Sequence, residues 1–535
     1  MSTLPRPDGL YAVLADLGQP VFATGAPARA HLSHQVPGPG QALLAVAGAM
    51  PPESLGAASF RTHHGVRAAY MAGAMAGGIA GTELVTALSR AGYLASLGAA
   101  GMSAQWLEEA LTELRRELGE GPYACNLIHH PAAPQREQEC VEACLRHQVR
   151  CIEASAFMRL SPALVRYRAL GLTTAPDGRV VRAHRVIGKV SRMETAEMFL
   201  RPAPQPLLDE LAAAGLVTAE QARLARLVPM ADDLTVEADS GGHTDRRPLS
   251  VLLPAISRLR DRLHRERAEP GGTPVRLGAA GGIGTPAAVQ AAFALGADYV
   301  VTGSVNQATV QAATSDAVKK LLGKAGFSDC TMAPAADMFE QGITVQVLGR
   351  GTLFAGRASR LYRLYSEYGG LEDLPDSQRE HLEQQIFCQP LEEVWLRTEE
   401  YLAQQDPLLL ERARADTKQR MALVFRWYLA HASRWACEGA LERAADWQVW
   451  CGPAMGAFNS WVEGSTLADW RNRDAVRVAD LLLRGAAYRT RLHHLRSSGL
   501  VLPVDVAEYR MPVPEPSVAG VPYQGGGRVP TAGAV

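Results

Sequence analysis

The sequence predicts an α/β fold: a (β/α)8 TIM barrel, interrupted by a helical insertion and followed by a helix-rich C-terminal region. Three observations carry that reading. From Ala68 onward, strand-like runs followed by small residues and amphipathic helices recur eight times. That count matches a barrel whose consecutive units pack side by side. The most Gly-rich turn comes late, within Thr273–Ser304. An open dinucleotide-binding sheet, the alternative, would carry it after its first strand. Finally, seven of the eight tryptophans, Trp395 to Trp470, lie beyond the repeats. Tryptophan is costly to leave exposed, so that region is a folded helical unit and not a tail.

The elements follow in order. Residues 1–62 contain Pro37-Gly38-Pro39-Gly40 and Pro51-Pro52 and read as a cap or small subdomain. Residues 63–327 form the barrel. Its expected strands are Met71–Met75, Tyr93–Ser96, Tyr123–Leu127, Cys151–Ala154, Ala183–Val190, Leu234–Ala238, Val275–Ala279 and Tyr299–Thr302. Expected helices include Thr82–Arg90, Ala104–Leu118, Gln135–His147, Thr195–Arg201, Leu249–Arg267 and Pro286–Leu295. Between the fifth and sixth strands, residues 204–229 read as two helices separated by a Gly215 stop. This insertion is either a lid on the loop side or an ordinary helical crossover. Residues 328–500 are helix-rich, with Asp376–Ile386, Leu391–Gln404 and Met421–Ala436 as clear helices. Residues 501–535, rich in Pro and Gly from Pro503 onward, are expected to be disordered or draped over the surface.

Composition excludes several classes. A net charge of -1 gives no basic bias for nucleic acid and no acidic tract. Apolar residues make up 47%, enough for a large core. The eight cysteines are too sparse for a disulfide scaffold. No basic segment followed by an apolar run opens the chain, and no stretch is long enough to span a bilayer, so no signal peptide or membrane anchor is expected. A cytoplasmic protein is the default. The residues leave a homo-oligomer open.

The late Gly-rich unit suits a phosphate. Gly281-Gly282-Ile283-Gly284 lets backbone N–H groups converge, Pro286 suits the first turn of the next helix, and the following strand ends in Gly303-Ser304. Paired loops after the last two strands are where a barrel holds a flavin or a sugar phosphate. Ser304 adds a hydroxyl, and Asn306 and Gln307 either complete the site or cap a helix. His243 follows a strand on a Gly241-Gly242 turn, where an imidazole can give a proton or a hydrogen bond, or merely hold the loop. Lys189 is one of only five lysines and lies in a strand pattern. It can stabilise negative charge at the barrel mouth, or pair with Glu153 across neighbouring strands. Asn126 ends the third strand, with an amide suited to a two-faced ring edge or to a turn. Ala76, Gly77 and Gly78 end the first strand, and leave room for a flat ring or ease a tight turn. Cys140, Cys144, His147 and Cys151 are grouped in sequence, but zinc sites place close Cys pairs on turns, so no metal is expected. His129-His130 follows the third strand and is placed at the pocket mouth.

These pieces carry a resemblance. Met75–Ala80, Glu83-Leu84-Val85 and Leu94–Gly98 resemble the start of the flavin barrel of nitronate monooxygenases and FMN-containing enoyl-acyl-carrier-protein reductases. Glu237–His243 is similar to their Glu-Ala-Gly-Gly-His signature, with Asp239 and Ser240 ahead of the paired glycines. That departure is typical of the PfaD-type enoyl reductases of polyunsaturated fatty acid synthases and trans-acyltransferase polyketide synthases. Gly303–Gln307, Ala333–Phe339, Val345–Leu348 and Trp450–Asn459 resemble the same branch, and the likeness spans Pro51 to His494. It implies a trans-acting enoyl reductase acting on enoyl thioesters of acyl carrier protein domains. The cofactor would be FMN, with hydride from NADPH, or NADH, passing through the flavin N5. It also implies that His243 is the catalytic histidine. A nitronate monooxygenase-like oxidase and a non-catalytic synthase-docking protein are the alternatives. Arg357, Arg360 and Arg363 are candidates for meeting an acidic carrier, or simply solubilise a helix.

Overall fold

The computed structural model describes residues 7–131, 133–266 and 273–511. Its centre is a closed barrel of eight parallel strands. These are β1 (Tyr70–Ala72), β2 (Leu94–Leu97), β3 (Ala124–Ile128), β4 (Cys151–Ser155), β5 (Arg185–Val190), β6 (Asp233–Glu237), β7 (Arg276–Ala280) and β8 (Tyr299–Thr302). Each coincides with an expected strand to within a few residues. The strands are short and buried on both faces, which is why they read as apolar runs without alternation. Closure is made by β8 pairing with β1, with Thr302 opposite Ala72.

The interior is filled by Met71, Leu94, Ala124, Ile187, Tyr299 and Val301. Its lower end is plugged by the helix Ala58–His64. There Phe60 stacks on Tyr299 at 4.3 Å, and His64 Nε2 lies 2.8 Å from Asp233 Oδ2. Burial and the cation of Arg276 act on the same carboxylate, which is held well below the usual range. The plug therefore uses polar as well as apolar contacts.

Seven helices follow the strands in turn: α1 (Thr82–Arg90), α2 (Ala104–Leu118), α3 (Pro134–Arg146), α4 (Pro162–Leu170), α5 (Met193–Leu200), α6 (Leu249–Glu266) and α7 (Pro286–Ala294). Their boundaries have local causes. Ser103 and Thr285 cap α2 and α7 with their side chains, and Pro begins α3, α4 and α7. The eighth position of the ring is filled from far along the chain. Helix α8 (Ala475–Ser497) packs between α7 and α1. The approach to α7 is close: a Cβ on Gly485 would stand 2.5 Å from Pro286 Cγ. On the other side, Asp480 bonds Arg67 and Tyr93. Arg491, fully buried, donates to the carbonyls of Leu14, Asp16, Leu17 and Gln19, which fixes the N-terminal segment and its small antiparallel sheet beneath the barrel.

The insertion is two helices, Gln205–Ala213 and Ala219–Ala225, the second opened by a Thr218–Gln221 capping box. It sits after α5 and before β6, so it joins a helix to the lower end of a strand. It packs on α4, and none of its residues lines the cavity at the opposite rim. It is a crossover, and the lid reading falls.

Beyond the barrel the chain is less purely helical than expected. Cys330–Pro334 and Thr344–Leu348 form an antiparallel pair, which Gly242–His243 joins as a third strand. Next comes a helical module around its own core, including Phe354–Glu367, Leu391–Gln405, Pro407–Ala415 and Thr417–Glu438. The expected helix at Asp376–Ile386 is a short α-helix running into a wider turn over Leu382–Phe387. Residues 447–500 then return to the barrel core. Of the tail, Tyr488 Oη donates to Val506 O and Arg510 N to Tyr11 Oη. Those residues are draped over α8, and 512–535 lie outside the described residues.

Candidate active site

The carboxyl ends of the strands open into a cavity of 1420 Å³. Ala76, Gly77, Asn126, Lys189, Gly241, Gly242, His243, Gly281, Gly282, Gly303 and Ser304 all line it. Gly78 does not. It is buried in the turn after β1, where a Cβ would meet Trp106 Cζ2 at 3.2 Å and Met102 Cε at 3.3 Å. Its role is close packing in the left-handed region, with φ of 71°.

The two late loops meet as the sequence implied. Gly281 and Gly282 have φ of 83° and 75°. A Cβ on Gly281 would strike Ala238 C at 2.6 Å, so the loop after β7 lies directly on the loop after β6. At Gly282 and at Gly303, a Cβ would meet nothing within 4 Å. These two positions expose backbone to the cavity. A third segment wedges in. Gly452 N donates to Ser304 Oγ at 3.0 Å, and a Cβ on Gly284 would stand 2.2 Å from Ala454 O. Gly241 lies as tightly against Cys451 and Gly452. The Trp450–Asn459 run, singled out in the sequence without a role, thus buttresses both loops. Asn306 is turned inward onto Thr302, whereas Gln307 reaches the cavity.

The floor is a buried polar cluster. Asn126 Nδ2 donates to Glu153 O at 3.0 Å and Ser155 Oγ at 2.9 Å. Lys189 Nζ pairs with Glu237 Oε1 at 3.4 Å, on the strand opposite to the Glu153 side proposed from spacing. Burial pulls the Lys189 ammonium down, but the carboxylates of Glu237 and Glu153 outweigh it and leave it above the ordinary range. Glu153 is fully buried. One oxygen accepts from Ala74 N at 3.0 Å, and Oε1 has no partner among the described residues.

At the rim, His243 Nε2 lies 3.1 Å from Asp337 Oδ1. Burial would lower the imidazole, but the Asp337 hydrogen bond and charge win, so its pKa is raised. Burial likewise raises Asp337, and His243 outweighs it, leaving the carboxylate below its usual range. The two shifts agree on an ion pair. The short sheet makes the pairing possible: Gly242 and His243 align with Gln346 and Val345, and Asp337 sits in the turn between the two later strands.

The helical module forms part of the cavity wall through Tyr401, Arg426, His431 and Arg434. His129 and His130 line the same space from β3. The module is therefore a roof as well as an external surface. Arg357 turns inward to the buried Asp446, and Arg360 bonds Gln378 Oε1, so of the three arginines proposed for docking Arg363 is the exposed one.

Residues 64–362 match the nitronate monooxygenase family profile, more than half of the chain. The chain also superposes on the crystal structure of the enoyl reductase domain of MlnA, from the macrolactin biosynthesis cluster of Bacillus amyloliquefaciens. The TM-score is 0.79 at 37% identity, covering 84% of this chain and 100% of that one. This chain belongs to the PfaD-type enoyl reductases, within the nitronate monooxygenase-like barrels. Among PfaD-type relatives, it is 49% identical over 448 residues to a component of the polyunsaturated fatty acid synthase of Thraustochytrium, spanning 83% of this chain and 30% of the relative. It is 44% identical over 436 residues to the polyketide biosynthesis protein PksE of Bacillus subtilis, spanning 81% and 56%. The chain thus covers about half or less of the length of these relatives. Within this PfaD-type chain, residues 368–447 separately match the inserted helical domain of [acyl-carrier-protein] S-malonyltransferase. That segment makes up most of the roof.

In this PfaD-type chain, sequence reasoning missed Asp337, Glu153, Glu237 and Gly452. Asp337 and Gly452 lay in runs already noted as distinctive, but no local spacing ties them to His243 or Ser304. The cysteines and histidine grouped by sequence are not neighbours in space. His147 bonds Glu108 at 2.6 Å, and Cys151 lies inside the barrel. Instead, Cys125, Cys140 and Cys144 bring their sulfurs within 4.8 Å of one another behind Asn126. All eight cysteines are free.

Proposed function

We propose that the chain is a trans-acting enoyl reductase that uses FMN and NADPH, with NADH the weaker donor, to reduce the α,β-double bond of enoyl thioesters carried by acyl carrier protein. One conjunction carries the reading. A cradle open at Gly282 and Gly303 shares a single cavity with a His243–Asp337 ion pair.

The residues fit FMN. Backbone at Gly282 and Gly303, beside the Ser304 hydroxyl, suits its phosphate. Asn126 and the partnerless Glu153 oxygen on the floor suit the donors and acceptors of its pyrimidine edge. When bound, FMN supplies hydride transfer between the nicotinamide and the β-carbon.

The chain's own groups do the rest. Lys189, kept protonated by its two carboxylates, places a positive charge where negative charge would develop. His243, kept protonated by Asp337, holds the proton needed at the α-carbon or hydrogen-bonds the thioester carbonyl. The roof limits access of water. Its similarity to part of a carrier-protein-dependent transferase supports a carrier-borne substrate. Free thiols throughout suit the cytoplasm.

The test is anaerobic turnover of the flavin-loaded protein with NADPH and a crotonyl thioester, on a carrier protein and on a pantetheine mimic. The expected result is steady reduction, with higher kcat/KM on the carrier that weakens with salt. Oxygen consumption with an alkyl nitronate and no thioester reduction would instead favour the oxidase.

A further inference from the structure

The cavity has a second basic region, remote from the Gly-rich cradle. In the closed barrel, β3 lies four strands from β7, on the opposite side. Two groups follow β3 there: His130, and Arg136 at the start of α3. The roof adds Arg426 from Thr417–Glu438. All three line the cavity.

Their hydrogen-bonding is incomplete. Arg136 gives one hydrogen bond, to Tyr401 Oη at 3.2 Å, and has no carboxylate partner among the described residues. Arg426 is mostly buried. It is paired with Glu340 at 3.2 Å through one terminal nitrogen, yet its buried Nε finds no acceptor. His130 donates its backbone N–H to Glu137, but its buried Nδ1 also lacks a partner. Burial and the charges of Arg136 and Arg426 pull the His130 imidazole down, so the three groups act on one another at close range. A buried guanidinium nitrogen without a partner is costly. Two guanidinium groups converging on such a space match the geometry of a phosphate.

We propose that Arg136, Arg426 and His130 form a phosphate-recognition site at the far side of the cavity, for the phosphate of a long ligand entering beneath the roof. The inference rests on the enoyl-reductase reading only for the identity of that ligand. Two ligands share the chemistry: the phosphate of a phosphopantetheine arm and the 2′-phosphate of NADPH.

The experiment reads affinity and not turnover. Flavin-loaded full-length protein is titrated calorimetrically with phosphopantetheine against pantetheine, and with 2′-phospho-ADP-ribose against ADP-ribose. Arg136→Gln and Arg426→Gln are compared with the parent. In the parent, one phosphate-bearing ligand should bind at least tenfold tighter than its counterpart lacking that phosphate. Either variant should remove most of that difference. Loss confined to phosphopantetheine assigns the arm, and loss confined to 2′-phospho-ADP-ribose assigns the nucleotide. Should Arg426→Gln not fold, the exposed Arg136 carries the test. No phosphate preference in the parent, or one untouched by the variants, overturns the proposal. Phosphate-dependent binding without any thioester reduction would keep this site and sink the enoyl-reductase reading.

Discussion

Replacing Gly282 with Val separates a cofactor-binding role from a folding role. The backbone there has φ of 75°, so a β-branched residue is strained. That strain costs about 1–3 kcal/mol, against a typical stability of about 5–15 kcal/mol. No clash adds to it, since a Cβ meets nothing within 4 Å. The fold should therefore survive with a modest fall in Tm. The added methyls would project into the cavity beside Ser304, where the phosphate is expected. Hydrogen bonds to a charged group are each worth about 1.5–3 kcal/mol. Losing two would weaken FMN by roughly 100- to 10,000-fold. Gly303→Val is the companion: its φ of −126° needs no left-handed backbone and its Cβ direction is also open. Gly284→Ala is the contrast. Its Cβ would stand 2.2 Å from Ala454 O, so it should lower stability before it alters occupancy. The assay is flavin released per chain on heating, beside thermal melts of the apoprotein. Full flavin content in both valine variants, with parent-like affinity, would refute the placement of the phosphate.

His243→Ala should keep the flavin spectrum but slow the half-reaction with enoyl thioester by roughly 100-fold, while flavin reduction by NADPH suffers less. Stopped-flow of the two half-reactions checks this. Asp337 raises the His243 pKa against burial, so the protonated imidazole persists to higher pH than an unpaired one. The descending limb of the thioester half-reaction should therefore move to lower pH in Asp337→Asn, read as a pH–rate profile; an unmoved limb would detach Asp337 from the proton. Arg491→Met should leave four buried carbonyl partners without their donor and destabilise the chain by about 3–5 kcal/mol, seen as a lower denaturation midpoint with flavin stoichiometry unchanged in the surviving fold.

The sequence by itself determined the barrel and most of its rim. Strand and helix boundaries arise from residues close in the chain: apolar runs, proline at helix starts, and capping Ser and Thr. Glycines at 281, 282 and 303 are local demands of a backbone exposed to a ligand, so they too were legible. The tertiary structure alone decided what holds that rim in place. Helix α8 completes a ring whose first strand lies some 400 residues earlier, through Asp480 on Arg67 and Gly485 on Pro286. His243 meets Asp337 across 94 residues because a two-residue strand joins a sheet made after the barrel. Gly452 reaches Ser304 across 148 residues for the same kind of reason. Such pairings depend on complementary surfaces and buried hydrogen bonds between distant segments. No periodicity within either segment encodes them, which is why the residues were visible and their partners were not.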